Sequence, residues 1–382
     1  MLQIESVTCC NMIKTMNDTF YELIQVALGV RPCLSRTPNG AEWGELYKIA
    51  KKQSLVGICF AGVQRLVNKQ QELPEMLYLT WMGMAAKIQQ RNEVMNQRCV
   101  ELLKRLNADG LHACVLKGQG MASIYGELQG LRQSGDIDVL VDAPIQDVIR
   151  YVKGHCPDVK SLMSHHIDFP IWEDTMVEMH FLPAQLCNPF TQRKLVEWYE
   201  SEKSRIFNHR QKLSSGDEVV TPDVMFNLVY ILLHIYKHLF AEGIGLRQLM
   251  DYYFILMSCE LSEEEFGYKE VENNIRKLGM QKFAGAVMWV LAEVCSLPKE
   301  SMICKPNREE GKWLLEDIMR NGNMGHGRED WIKLDDSAWF RFRKMLVANV
   351  RLLCHYPGET LWFPYFKLWH YPWRKYMERK LQ

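Results

Sequence analysis

Apolar residues recur along this chain with two different periods, and the change of period marks out its parts. In the first hundred residues the spacing is three and four: Phe20, Leu23, Ile24, Val26 and Ala27, then Leu46, Ile49, Ala50, Leu55, Val63 and Leu66, then Met84, Ala85, Ile88, Val94, Val100, Leu103 and Leu106. That spacing predicts helices: one closing at Gly29 and Pro32, one from residue 41 to about 66, and a long one over 75–107. A charged, Gln-rich turn at 69–74 ends the second and Asp109-Gly110 ends the third. Residues 1–108 are expected to be an N-terminal helical region.

Past Gly110 the period shortens. An apolar strand ends at Lys117-Gly118; a short helix and a basic turn at Arg132 follow. Then Gly135-Asp136-Ile137-Asp138 opens a second strand that runs through Val139, Leu140 and Val141. An amphipathic helix is expected over 144–155, and residues 165–169 and 176–181 read as two short strands, most simply an antiparallel pair. Residues 109–215 therefore predict a small mixed sheet with helices on it, an α+β core. Residues 183–222 read as a connection, broken at Asn188-Pro189 and 214–217, with a short helix over 192–202. From Val224 helical spacing returns, with His234 and His238 on one face. Further helices are expected around 247–254, at 263–279, 281–294 and 311–318, with a loop at 321–327 and a basic helix at 337–353. Residues 216–382 are expected to be a C-terminal helical domain that closes over a cleft and ends in a basic, aromatic tail.

With 382 residues, 47% of them apolar, the chain can bury a proper core, which excludes a disordered chain. Its 46 basic and 46 acidic residues set up no global field, which weighs against a long nucleic acid. The tail differs: from Arg341 onward nine Lys/Arg face two Glu, and that basic segment keeps a tRNA-like acceptor in play. Twelve cysteines without a Cys-x-x-Cys pair exclude a disulfide framework and suit a reduced, intracellular chain. No leader pattern and no apolar stretch of bilayer-spanning length is evident, so the expectation is a cytoplasmic protein without a transmembrane segment.

Chemistry concentrates in the alternating strands. Asp136 and Asp138 share one face of theirs, and Glu178 and His180 share one face of the 176–181 strand. Were these strands neighbours, three carboxylates would converge at one sheet edge, an oxygen-rich site suited to Mg²⁺ or Mn²⁺. Read alone, an Asp-x-Asp pair is more often two acids at a strand's start. Gly118, with Lys117 and Gln119, stands where a strand meets a helix start, a place that suits phosphate but equally an ordinary tight turn. Lys117 and Arg132 would add charge against a triphosphate. His234 and His238 lack the intervening Glu of a zinc-protease helix, so packing or substrate contact is preferred to metal. Arg247 and Asp251, four apart, read alone as a helix-surface pair. His165 and His166 read as strand residues without chemistry. The tail aromatics Trp362, Phe363, Phe366, Trp369, Tyr371 and Trp373, with Arg374 and Lys375, read as a segment packed on the helical domain rather than on a membrane or a partner.

Taken together, the glycine turn, the Asp-apolar-Asp strand and the later apolar-acid-apolar strand resemble the polymerase-beta-like nucleotidyltransferase superfamily. The closer resemblance is to its bacterial uncharacterised nucleotidyltransferase family. It is carried by Leu116-Lys117-Gly118, Ile124-Tyr125, Arg132 with Gly135-Asp136-Ile137-Asp138, Val177-Glu178-Met179-His180, His234 with His238, and Arg247 with Asp251. The resemblance implies metal-dependent transfer of a nucleoside monophosphate from an NTP to an acceptor hydroxyl, with release of pyrophosphate. The acceptor, whether a small molecule, a tRNA end or a protein side chain, is left open. It further implies Asp136, Asp138 and Glu178 as catalytic and metal-binding residues, and Lys117, Gly118, Gln119, Arg132, Gly135 and Arg247 as nucleotide-binding. His180, His234, His238 and Asp251 would be cleft contacts. The chain departs from the wider superfamily in carrying Gly118-Gln119-Gly120 in place of Gly-Gly or Gly-Ser, and in a longer gap to the first Asp. The alternatives are a catalytically silent nucleotide- or partner-binding protein, such as one component of a toxin and antitoxin pair, against which an intact acid triad argues, and a helical interaction scaffold in which the central sheet is merely structural.

Overall fold

The computed structural model describes residues 2–67, 72–159, 161–213, 215–241, 243–259, 265–323, 343, 346 and 349–380. Four helices lead: α1 (Leu2–Ala27), α2 (Gly40–Lys52), α3 (Val56–Val67) and α4 (Glu75–Ala108). α2 starts where the spacing predicts because Asn39 and Glu42 form a reciprocal capping box. The single helix expected over 41–66 is two, broken after Lys52 where Ser54 takes φ 54°. Buried Gln53 explains the break. Its amide donates to Ile318 O at 3.0 Å and its oxygen accepts from Leu246 N at 3.0 Å, tying the turn to helices far along the chain.

The sheet has the order β1-β2-β4-β3, built from β1 (Ala113–Val115), β2 (Ile137–Val141), β3 (His166–Asp168) and β4 (Val177–His180). The inner pair β2–β4 is parallel, and both outer pairs are antiparallel, including the expected β3–β4 pair. Between β1 and β2 the expected short helix is a 3₁₀ segment over Gly118–Leu131, kinked at Gly126. α5 (Ile145–His155) follows β2. Alternation gives the sheet two different faces. Val115, Ile137, Val139, Val141, Ile167, Val177 and Met179 share a core with α4 and α5 residues such as Cys99, Leu102, Val148 and Val152. Cys114, Leu116 and Leu140 belong to a larger core that includes α1 to α3 and the later helices.

After the sheet, α6 (Pro189–Ile206) is longer than the helix expected there, because Asn188 caps it and Pro189 begins it. Of the break expected at 214–217, residues 215–217 lie between the paired strands β5 (Arg210–Lys212) and β6 (Glu218–Val220), and Ser214 lies outside the described residues. Gly216, at φ 87°, lets the chain reverse, and buried Leu213 and Val219 anchor the hairpin in the α4–α5 core. Then come α7 (Val224–Ala241), α8 (Leu246–Ser258), α9 (Glu265–Lys277), α10 (Gln281–Cys295) and α11 (Arg308–Asn321). α7 is long and apolar enough to cross a bilayer, contrary to the length expectation, but 72% of it is buried inside the fold, so it serves as a core helix here. The tail from residue 363 forms a helix, Phe363–Lys380, with Pro372 inside it. Most of the basic helix expected at 337–353, and the loop beyond residue 323, lie outside the described residues.

One close approach sets the position of the site. A Cβ on Gly57 of α3 would lie 2.2 Å from Leu131 O, immediately before Arg132. Gly57→Ala should therefore cost about 1–3 kcal/mol or more, because backbone rather than a pliable side chain must give way. Urea denaturation reads this directly; an unchanged midpoint would show that α3 does not press on this turn.

Candidate active site

Asp138 and Glu178 face each other across the two inner strands, in direct parallel register. Asp136 stands two residues ahead of Asp138, just before β2 begins. The three form a graded entrance. The Asp138 side chain is 0% exposed, that of Glu178 18% and that of Asp136 32%, so Asp136 lies at the mouth and Asp138 at the floor. Asp138 is locked from both sides, its carbonyl accepting from Leu116 N at 3.0 Å while its residue pairs with Glu178 in the ladder.

Lys117 and His180 answer the acids. The chain leaves the sheet after Leu116 and turns at Gly118, whose φ of 62° suits glycine, and Lys117 comes round to the acidic face. Its Nζ lies 3.1 Å from Asp138 Oδ2 and 3.7 Å from Asp136 Oδ2, and 3.3 Å from His234 Nε2 on α7. Burial alone would depress the Lys117 ammonium, but the carboxylates of Asp136, Asp138 and Glu178 outweigh it and hold the group above its ordinary value. His180 Nε2 is 2.9 Å from Asp138 Oδ1 and 3.2 Å from Glu178 Oε2. Burial opposes its charge as well, and the two carboxylates again win, raising it. Glu178 is carried the other way. Against the effect of burial, its hydrogen bond to His180 and the nearby positive charges bring it down to about 2, so it is ionised at neutral pH.

Above the acids, α7 and α8 wall a cleft lined by Lys117, Gly118, Arg132, Gly135, Asp136, His234, Arg247 and Asp251. Asp251 does not pair with Arg247 on its own helix surface. It takes a two-pronged grip from Arg132, Nε to Oδ1 at 2.7 Å and Nη2 to Oδ2 at 2.8 Å, and Tyr125 donates to the same Oδ1. Arg132 Nη1, buried in the same place, has no hydrogen-bond partner among the described residues. Arg247 donates to Gln133 O at 3.2 Å, joining α8 to the turn ahead of the acids. The cavity is about 20 Å³, room for about one water molecule.

Residues 39–296 match the family model of the uncharacterised nucleotidyltransferases. The chain belongs to that family. The matched span runs from α2 through α10 and contains every side chain of the cleft. No curated protein and no solved structure matches the chain.

For a nucleotidyltransferase the placement of the remaining expected residues matters. Gln119 is buried and turned into a polar network: its amide donates to Asn96 Oδ1 and to Asn92 O, and its oxygen accepts from Ser134 Oγ at 2.6 Å. Asn92 in turn donates to the carbonyls of Gly130 and Arg132 at 2.8 Å each. Gln119 thus braces the acid-bearing turn against α4 and is not part of the cleft lining. His238 packs on His234, ring centroids 4.4 Å apart, one turn beyond the cleft. Sequence reasoning missed His165, His166 and Asp168. Antiparallel pairing sets His166 opposite His180 and Asp168 opposite Glu178, which carries both onto the acidic face. The signal was present, since His166 and Asp168 flank apolar Ile167 as Glu178 and His180 flank Met179.

The donor set fits a divalent cation. It offers three carboxylates, and Asp138 Oδ2, though 3.1 Å from the Lys117 ammonium, is buried without a well-directed hydrogen bond among the described residues. An ammonium already drawn to these acids marks a cation position. The Arg132–Asp251 pair, in contrast, is structural. Burial would raise Asp251, but Arg132 holds its carboxyl below the usual carboxylate range. Such a depressed group contributes stability that is complete above its ordinary value of about 4 and is lost as pH falls through the lower folded value. Arg132→Met should cost about 3–5 kcal/mol at neutral pH by stranding Asp251. The Arg132→Met/Asp251→Leu pair should recover part of that loss and lose less stability on acidification than the wild type. Equal acid sensitivity in both would contradict the assignment.

Proposed function

We propose that this nucleotidyltransferase moves a nucleoside monophosphate from an NTP to an acceptor hydroxyl, releasing pyrophosphate. The observation that carries the proposal is the register of Asp138 with Glu178, with Asp136 two residues ahead. Divalent ions such as Mg²⁺ or Mn²⁺, held by Asp136, Asp138 and Glu178, would supply the charge that neutralises the triphosphate and the departing pyrophosphate. Lys117 then has phosphate oxygens as alternative partners. Arg132, gripped at two nitrogens by Asp251, keeps Nη1 for a phosphate oxygen, with Arg247 beside it. Glu178, ionised at neutral pH, is a carboxylate able to accept the proton of the acceptor hydroxyl. The hydroxyl oxygen bonds to the α-phosphorus as the bond to the pyrophosphate oxygen breaks.

The proposal takes 1–108 as a helical support, 109–215 as the catalytic core and 216–382 as the wall across the acids, in a cytoplasmic setting. A sugar-like small molecule, a tRNA end and a protein hydroxyl are the acceptor classes it leaves. Lys117, seated on the acids, favours the second reading, a catalytically silent binding protein.

Thermal melting with each NTP and Mg²⁺ or Mn²⁺ separates the two. At a ligand concentration of about 100 times Kd the bound state gains about 2.7 kcal/mol. The proposal expects a metal-dependent rise in Tm with an NTP, lost in Asp136→Ala/Asp138→Ala, followed by transfer of label from that NTP. A rise that persists without metal and in the double variant supports the silent reading.

A further inference from the structure

Beside the oxygen-only acids stands a cluster that the transfer chemistry does not use. His165, His166 and His180 are all buried, and their ring centroids lie 4.5, 5.0 and 5.5 Å apart. One potential ligand atom from each lies within 4.8 Å of the others. Packing alone is a poor reason to bury three imidazoles together, because each brings two polar nitrogens that must be satisfied. Among the described residues buried His165 Nδ1 has no hydrogen-bond partner. His165 Nε2 lies 3.1 Å from His166 Nδ1 and accepts from the Lys237 ammonium at 2.9 Å. Its lone pair is already aimed at a cation.

We propose that His165, His166 and His180, with a fourth position open to water, form a nitrogen-rich site for a borderline divalent cation of the Zn²⁺ or Co²⁺ class. Four ligands about 2.0–2.1 Å from Zn²⁺ in a tetrahedron lie about 3.3 Å from one another. In this set His165 Nε2 and His166 Nδ1 lie 3.1 Å apart. The other nitrogen of His166 faces Asp168 Oδ1 at 3.8 Å, the carboxylate position found behind metal-bound imidazoles. The cation would displace Lys237 from His165. Imidazole nitrogens distinguish this site from the all-oxygen site suited to Mg²⁺. The inference does not depend on nucleotide transfer.

The test uses the full chain, stripped with chelator and dialysed against Zn²⁺ or Co²⁺ with Mg²⁺ in excess. Metal content and the visible ligand-field bands of Co²⁺ are the readouts. The expected result is a single ion per chain with tetrahedral bands, bound at least about tenfold more weakly in His166→Asn and more tightly in Lys237→Ala, where the competing ammonium is gone. Retention in Asp136→Asn separates this site from the acid site, so it stands or falls apart from nucleotide binding. No retained ion in the wild type, equal binding in His166→Asn, or weaker binding in Lys237→Ala would overturn the proposal. Because the two informative variants are expected to move binding in opposite directions, a general loss of folding cannot imitate the result.

Discussion

Parallel pairing of β2 with β4 places Asp138 directly opposite Glu178, and much of the site follows from the electrostatic cost of that placement. Neighbouring carboxylates on two inner strands repel, the more so as the Asp138 side chain is wholly buried. A fold that keeps this register must bring positive charge to it. Lys117 is delivered by the end of β1 and the left-handed turn at Gly118, and His180 by β4 itself, two residues beyond Glu178. Both are raised by these carboxylates against the effect of burial. The same demand for positive charge makes the site receptive to a divalent ion.

A second constraint holds this sheet edge to the helices above it. The turn before Asp136 is gripped from two sides, by Asn92 and Gln119 from the α4 side and by Asp251 of α8 through Arg132. The two motif residues that seemed separate, an arginine upstream of the acids and an aspartate more than a hundred residues later, are partners in one buried ion pair. Its value for function is positional. Arg132 is fixed with a nitrogen to spare beside the cleft, and the helical wall is fixed above the acids.

Period and punctuation carried most of the fold. The long helix ending at Asp109-Gly110, the alternating strands and the β3–β4 pair are local patterns, and local patterns are legible. The acid triad was legible because a two-residue alternation places Asp136 with Asp138 and Glu178 with His180 on definite faces. What was not legible depended on partners distant in sequence. Gln53 breaks a helix to reach Ile318 and Leu246; Gln119 turns inward because Asn92 and Asn96 meet it there; Asp251 chooses Arg132 over its own helix neighbour. His166 and Asp168 lay between. Their alternation was visible, and only the register with β4 shows that they join the acids. The hairpin at 210–220 was hidden by its own turn residues, which read equally as a break.

The central claim is that Asp136, Asp138 and Glu178 bind metal and nucleotide together. Anomalous diffraction from crystals grown with Mn²⁺ and a non-hydrolysable NTP analogue tests it most directly. The account predicts an anomalous peak within bonding distance of Asp136 and Asp138, with the triphosphate extending toward Arg132 and Arg247. A nucleotide seated elsewhere, or one in the cleft with no anomalous peak at the acids, would contradict it.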